Sequence, residues 1–215
     1  AQFPDGYGYD INTPAWCYSY IELKTALENK NIRYVALGDV EDMMPKIPHN
    51  EAAEPNGVDN VNPIVVRGKK DLNLLGDAVF SAPLSQNYDL KCFKEVLILT
   101  DTYNADLYIH GPGSLTFNSS YLDFYYSVIK VIGGNLCVDG ATIIGGHGNH
   151  TGFCYGINAI YGSVGIQNGA TIRGSVYNGS GVCALSLGGE GNNQSLSVSI
   201  WDGNFYVDRT VEDGN

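Results

Sequence analysis

Basic residues are scarce in this sequence. Lys and Arg supply 12 of 215 residues against 23 Asp and Glu, which gives a formal net charge of -11. Binding to a nucleic-acid backbone depends on clustered Lys and Arg, so the charge balance argues against a nucleic-acid partner. No apolar run reaches the roughly 18 residues that a membrane-spanning helix needs, and no membrane span is expected.

Cysteine is also sparse, and the pairing motifs of redox and zinc proteins are missing. The five cysteines include no CxxC, and their odd number precludes complete internal pairing. We expect them to be small buried thiols, with a disulfide as the alternative. What the chain does have is 44% hydrophobic residues, 27 Gly and 15 Tyr, a composition that supports a folded core.

The main positive signal is an internal repeat. VDGATI at 138–143 is matched by IQNGATI at 166–172. Around this pair, an apolar-x-apolar unit recurs at 72–74, 107–109, 136–138, 164–166 and 198–200. Its starts are 35, 29, 28 and 34 residues apart. Repeats at such a period are typical of solenoids.

Short alternating strands separated by Gly, Asn and Asp predict an all-β chain. One repeat with three short strands has the size of one coil of a parallel β-solenoid, and the chain has room for about five to six coils, spaced as ordinary neighbouring strands are. A β-sandwich with Gly-rich hairpins is the competing interpretation. The near-identical turns at near-constant offset favour the solenoid.

The first third of the chain has a different pattern. Ser19–Lys30 has the spacing of a short amphipathic helix, and Ser19 with Glu22 forms a capping box. We interpret 1–215 as one domain: a cap helix and first strand at 1–37, an acidic Pro-rich loop at 38–62, and coils at 63–215. The helix is expected to cover the open end of the first coil.

Three stretches carry a family resemblance: ELKTAL at 22–27, RYVAL at 33–37 and VVRGKKDLNLLG at 65–76. They resemble the opening of pectate-lyase-like proteins, in which a cap helix leads into the first coils. The rest resembles secreted β-helix proteins of gut and clostridial bacteria, some of which bind acidic polysaccharides without cleaving them. The resemblance implies a right-handed, single-stranded parallel β-helix with an N-terminal cap helix. Its motifs are structural, so it does not imply an active site.

Equivalent positions of stacked coils form columns, which we align on the repeated strand. The central column is Asn73, Tyr108, Cys137, Gly165 and Ser199, and the column after the strand is Leu75, His110, Asp139, Gln167 and Trp201. Neither column holds the two carboxylates that glycoside hydrolysis requires. Asp139 is expected to hold the turn before Gly140. We therefore predict no catalytic residue. An enzyme stays an alternative, because carboxylates could converge from loops, with Asp101, Asp106 and Asp123 as the nearest candidates.

Aromatic side chains are the better candidates for a binding surface, because Tyr combines an apolar face with a polar tip. The candidate ligand-binding residues are Tyr121, Asp123, Tyr125, Tyr126 and Trp201. His147, His150 and Cys154 have a metal-like spacing but no fourth ligand, so no metal site is predicted.

These features predict a secreted or cell-surface protein that binds carbohydrate or mediates adhesion. The expected partner is a polysaccharide or a host or cell-surface glycan, with no cofactor. Ca²⁺ would be required if the glycan is acidic, because the chain is acidic too. The first alternative is a polysaccharide lyase or glycoside hydrolase acting on an acidic glycan. The second is a structural module that pairs with a second copy through its uncovered C-terminal coil.

Overall fold

The computed structural model describes residues 3–45, 63–82, 96–101, 104–119, 125–147, 152–177, 182–188 and 195–211. These residues form one helix and sixteen strands, which confirms the all-β prediction. The helix is α1 (Tyr20–Glu28). The strands are β1 (Ala15–Cys17), β2 (Tyr34–Leu37), β3 (Val40–Met43), β4 (Ile64–Val65), β5 (Lys69–Leu74), β6 (Asp77–Ser81), β7 (Val96–Thr100), β8 (Asp106–His110), β9 (Ser114–Ser119), β10 (Tyr125–Asp139), β11 (Thr142–His147), β12 (Gly152–Gln167), β13 (Ala170–Tyr177), β14 (Leu185–Leu187), β15 (Leu196–Ile200) and β16 (Gly203–Thr210).

The strands form three parallel ladders. The first ladder is β1-β2-β5-β8-β10-β12-β15. The second is β3-β6-β9-β11-β13-β16. The third is β4-β7-β10-β12-β14. The long strands β10 and β12 take part in both the third and the first ladder. From β2 onward the chain visits the ladders in a constant order, so the sheet is curled, mostly parallel and solenoid-like.

One pairing departs from the parallel pattern. Gly152–Cys154 at the start of β12 runs antiparallel to the end of β13, with Cys154 opposite Ser175. The repeat did not predict this pairing, because the paired residues, 152–154 and 175–177, lie outside the repeated apolar-x-apolar unit.

The core lies inside the curl. Alternate residues of each strand point inward, as the two-residue period of a strand requires. In β8, for example, Leu107 and Ile109 are fully buried, whereas Tyr108 and His110 between and after them are partly exposed. The outward positions of the first ladder therefore form columns of mostly partly exposed side chains, although Ala36 in β2 is 1% exposed.

The predicted helix is present, and Ser19 is its N-cap residue. Ser19 Oγ accepts a hydrogen bond from Glu22 N at 3.2 Å, and Glu22 Oε1 accepts one from Tyr18 N at 3.2 Å. Leu23 and Leu27 are fully buried on the inner face of α1, which packs against β1, β2 and β4. Ser19 is therefore the N-cap as predicted, but only half of the predicted capping box is present, because Glu22 Oε1 bonds to the N–H of Tyr18 and not to that of Ser19.

The segment predicted as a loop differs at its start. Its first residues form β3, in which Val40 and Met43 pair with β6. The VEDM sequence has little intrinsic strand preference, so the neighbouring strand stabilises it. Residues 46–62, the rest of that predicted loop, lie outside the described residues.

The cysteines agree with the thiol interpretation within the described residues. Cys17 and Cys154 are buried, Cys137 and Cys183 are half-buried, and none of the four forms a disulfide with another described cysteine. Burial raises the pKa of the Cys17 thiol far above its ordinary range. Cys17 is therefore an unreactive core thiol.

Candidate functional site

Of the five predicted ligand-binding residues, the structure describes the side chain of Trp201 and the backbone of Tyr125 and Tyr126. Tyr121 and Asp123 lie outside the described residues, and Tyr125 and Tyr126 are described only as the backbone start of β10, in the third ladder. Trp201 directly follows β15, in the first ladder, and its side chain is 81% exposed. The backbone thus assigns the predicted residues to different ladders.

A longer row of side chains runs along the outside of the first ladder, and we call it the outer column. Its members are Trp16, Ala36, Asn73, His110, Asp139, Gln167 and Trp201. At its end, Trp201 N donates to Ile166 O at 2.9 Å, which continues the ladder by one residue. The two tryptophans of the sequence therefore lie at opposite ends of one column, six strand steps and about 29 Å apart.

The predicted alignment of the columns was wrong at β5, by two residues. Asp71, not Asn73, lies opposite Tyr108, and Asn73, not Leu75, lies opposite His110. The cause is Lys70, which occupies an inward position and is 1% exposed. Because Lys70 is charged, the hydrophobic pattern did not identify its position as inward. The resulting error of two residues left the inward and outward faces of β5 correctly assigned.

Lys70 is held by backbone oxygens at the end of α1. Its Nζ donates to the carbonyl oxygens of Asn29 and Ile32. Burial lowers the pKa of Lys70 to about 8. A cation at the C-terminal end of a helix also interacts favourably with the helix dipole. Through these hydrogen bonds, Lys70 connects the first ladder to the C-terminal end of α1.

The corrected register brings Asp71 and His110 together. His110 Nε2 lies 2.5 Å from Asp71 Oδ1, with both side chains about one-quarter exposed. The rings of Tyr108 and His110 are stacked, with centroids 5.0 Å apart and an interplanar angle of 28°. Asp71 orients the imidazole, and no partner of the other ring nitrogen, Nδ1, is found among the described residues.

Asp139 collects hydrogen bonds from three neighbours on the same face. Its Oδ2 accepts from Tyr108 OH and from Gln167 Nε2 at 3.2 Å, and its Oδ1 accepts from Asn168 Nδ2 at 2.6 Å. The turn at Gly140 instead uses backbone atoms, with Gly140 N donating to Gln167 O. The expectation that Asp139 holds this turn was wrong, because its carboxylate points along the column.

The hydrogen bonds of Asp139 also set the protonation of the cluster. The bond from Tyr108 is the main cause that lowers the pKa of Asp139, followed by the bond from Asn168. In return, the bond to Asp139 raises the pKa of Tyr108 to about 12. Tyr108 therefore keeps its proton at neutral pH and is a poor general base.

Two of the acidic side chains considered for catalysis already have partners. The carboxylate of Asp139 is occupied by three donors, and Arg67 Nη1 contacts both oxygens of Asp101 at 3.1 Å. Within the described ranges, no group of three or more His, Cys, Asp or Glu side chains could hold a metal ion. The His147 side chain and His150 lie outside those ranges.

An exposed aromatic pair precedes the polar part of the outer column. The Trp16 and Tyr18 rings are nearly parallel, with centroids 6.5 Å apart and an interplanar angle of 15°. They are 39% and 68% exposed. Sequence reasoning missed this pair, although the alternation of AWCY, with Ala15 and Cys17 buried, could have revealed it.

The last coil leaves apolar side chains exposed. An open cavity of about 280 Å³ lies there, lined by Leu185, Ile200, Phe205 and Val207 among others. Ile200 and Val207 are each about half exposed. Pairing with a second copy through this end stays a prediction.

Comparison of this chain with models of protein families, with curated proteins and with solved structures gives no match in any of the three. Among the described residues, no helix is both long and apolar enough to cross a membrane.

Proposed function

We propose that this protein is a right-handed parallel β-helix of the pectate-lyase-like type, secreted or at the cell surface, with α1 as its N-terminal cap. The constant order of the three ladders and the packing of α1 on β1, β2 and β4 support this architecture. A flank made of stacked strands offers a long, regular surface, which suits an extended polymer better than a small solute.

The ligand in this proposal is a polysaccharide that lies along the outer column. The observation that carries it is the placement of Trp16 and Trp201 at the two ends, with hydrogen-bonding side chains between them. Aromatic faces contact the apolar faces of sugar rings, while the groups between them pair with hydroxyls. His110 and Gln167 supply such groups in the middle of the column.

A neutral glycan suits this surface better than an acidic one. The chain carries a net charge of -11, and Asp71 and Asp139 belong to the column or contact it. An anionic polymer would be repelled by this field unless a cation such as Ca²⁺ intervened. Neutral sugars need no such cation, and their hydroxyls can donate to the carboxylates.

Affinity electrophoresis through gels cast with neutral and acidic polysaccharides tests the proposal. We expect a neutral polymer to retard the protein equally in Ca²⁺ and in EDTA. Trp16→Ala and Trp201→Ala should each weaken binding by about tenfold, which corresponds to about 1.4 kcal/mol. Tyr206→Ala is the matched control, because Tyr206 is an exposed aromatic on the second ladder.

Three results would contradict the binding proposal. Equal weakening by Tyr206→Ala would mean that the outer column is not the site. Free migration through every gel would remove polysaccharide as the ligand. A cleared zone in a gel stained for polymer would show cleavage and favour the lyase or hydrolase alternative.

A further inference from the structure

A second concave site lies at the N-terminal end, away from the outer column. It is a cavity of about 280 Å³ between residues 3–9 and the last turn of α1. The residues that matter for its chemistry are Phe3, Asp5, Tyr7, Tyr9, Asn29 and Ile32. Its volume is slightly below the range of about 300–1,000 Å³ that small-molecule sites occupy, so it suits a head group rather than an oligosaccharide.

The wall that carries the two tyrosines is anchored at Gly8. Gly8 O accepts from Arg33 N and from Tyr34 N, both at 2.8 Å, and Gly8 N donates to Thr13 O at 2.6 Å. Gly8 has a φ of +79°, and a Cβ there would come within 2.6 Å of Ile32 Cγ2. Since only glycine allows this approach, the backbone between Tyr7 and Tyr9 is held against β2.

The cavity combines two tyrosine side chains with one carboxylate. Tyr7 and Tyr9, which flank Gly8, are 45% and 55% exposed. Among the described residues, the Asp5 carboxylate makes no hydrogen bond and no ion pair, and no Lys, Arg or His lines the cavity. The site therefore offers the Asp5 carboxylate and the Tyr7 and Tyr9 side chains to whatever enters it.

These groups select an organic cation over a metal ion. A divalent ion such as Ca²⁺ takes six to eight oxygen ligands and usually several carboxylates, whereas this cavity has one acidic side chain. A quaternary ammonium group is attracted both to the faces of aromatic rings and to a nearby carboxylate. The overall charge of -11 adds a long-range attraction for cations.

We propose that this N-terminal cavity binds a quaternary ammonium head group of the choline type. The positive charge lies near Asp5, and the methyl groups contact the Tyr7 and Tyr9 rings. This site is independent of the polysaccharide surface, so the failure of either proposal leaves the other standing.

Calorimetric titration with choline and with 3,3-dimethylbutan-1-ol, its neutral isostere, tests the site. We expect saturable binding of choline and about tenfold weaker binding of the isostere. Asp5→Asn should weaken choline binding by about tenfold without changing the affinity for the isostere. Tyr7→Ala and Tyr9→Ala should weaken both ligands, and Tyr18→Ala is the matched control with an exposed tyrosine outside the cavity.

Several outcomes would overturn the assignment. Equal affinity for choline and its isostere would show an apolar site with no charge recognition. Choline binding that persists in Asp5→Asn and Tyr7→Ala would place the ligand elsewhere, and absence of saturable binding would remove the ligand class. Saturable binding of uncharged monosaccharides with the same sensitivity to Asp5→Asn would make the cavity a sugar subsite. Circular dichroism and thermal unfolding of each variant establish that it is folded.

Discussion

Asp139 organises the middle of the outer column through a single carboxylate. Tyr108 comes from the preceding strand of the ladder, Gln167 from the following one, and Asn168 from the corner after it. Asn168 has a left-handed backbone, with a φ of 56°, which directs its amide back toward Asp139. The carboxylate therefore positions Tyr108 and Gln167, and under the proposed function these two side chains face the polysaccharide.

Replacing Asp139 by Asn tests this role. The substitution keeps an acceptor oxygen but removes the charge, so the pKa of Tyr108 should fall from about 12 toward the ordinary value of about 10. Carbon-13 NMR of tyrosine labelled at Cζ measures the titration, with Tyr108→Phe to assign the signal. Asp106→Asn is the control, since Asp106 is on the same ladder but does not contribute to this shift. An unchanged Tyr108 pKa in Asp139→Asn would contradict the proposed geometry.

The sequence predicted most of the outer column but not its contacts. The positions from Tyr108 to Trp201 were aligned correctly, because inward Leu, Ile and Val mark the period there. Lys70 broke that pattern, so Asp71 was assigned to no column and its contact with His110 was missed. A buried lysine is stabilised by carbonyl oxygens that are distant in sequence, and no local signal reports them.

Elements with local signals were predicted best. The helix was expected at Ser19–Lys30 and lies at Tyr20–Glu28, because the capping box is encoded within four consecutive residues. In contrast, β3 and the antiparallel pairing of β12 with β13 depend on the neighbouring strands. Such elements follow from tertiary pairing, which a single strand sequence does not contain.

The cap of α1 gives a prediction at the scale of this element. Ser19→Ala removes the acceptor for Glu22 N and should lower the free energy of unfolding by about 1 kcal/mol. Ser19→Asp restores an acceptor and should recover most of that loss. Urea denaturation followed by circular dichroism measures both variants. Equal stability of Ser19→Ala and the parent protein would mean that the cap does not stabilise the fold.

At the scale of the whole molecule, buried ionisable groups control the response to alkaline pH. Burial raises the pKa values of Cys17 and Tyr20 far above their ordinary ranges. Above pH about 8.5 for the thiol and about 10 for the phenol, the unfolded chain loses protons that the folded protein keeps. These two groups therefore make the free energy of unfolding fall as the pH rises.

Lys70 acts in the opposite direction within a defined window. Its folded pKa is about 8, whereas an unfolded lysine titrates near 10.4, so between these values the unfolded chain binds more protons. Lys70 thus makes the free energy of unfolding rise with pH in that window, by at most about 1.4 kcal/mol per pH unit for one proton.

Lys70→Met should therefore steepen the alkaline loss of stability. Below pH about 8 its stability should run parallel to that of the parent protein, offset by the lost contacts with the end of α1. Between pH about 8 and 10.4 the two curves should diverge by up to about 1.4 kcal/mol per pH unit. Urea denaturation across this range measures the slopes. Lys69→Met removes an exposed lysine from the same strand and should leave the slope unchanged. Parallel curves for Lys70→Met and the parent would show that Lys70 titrates in the folded protein as it does in the unfolded chain.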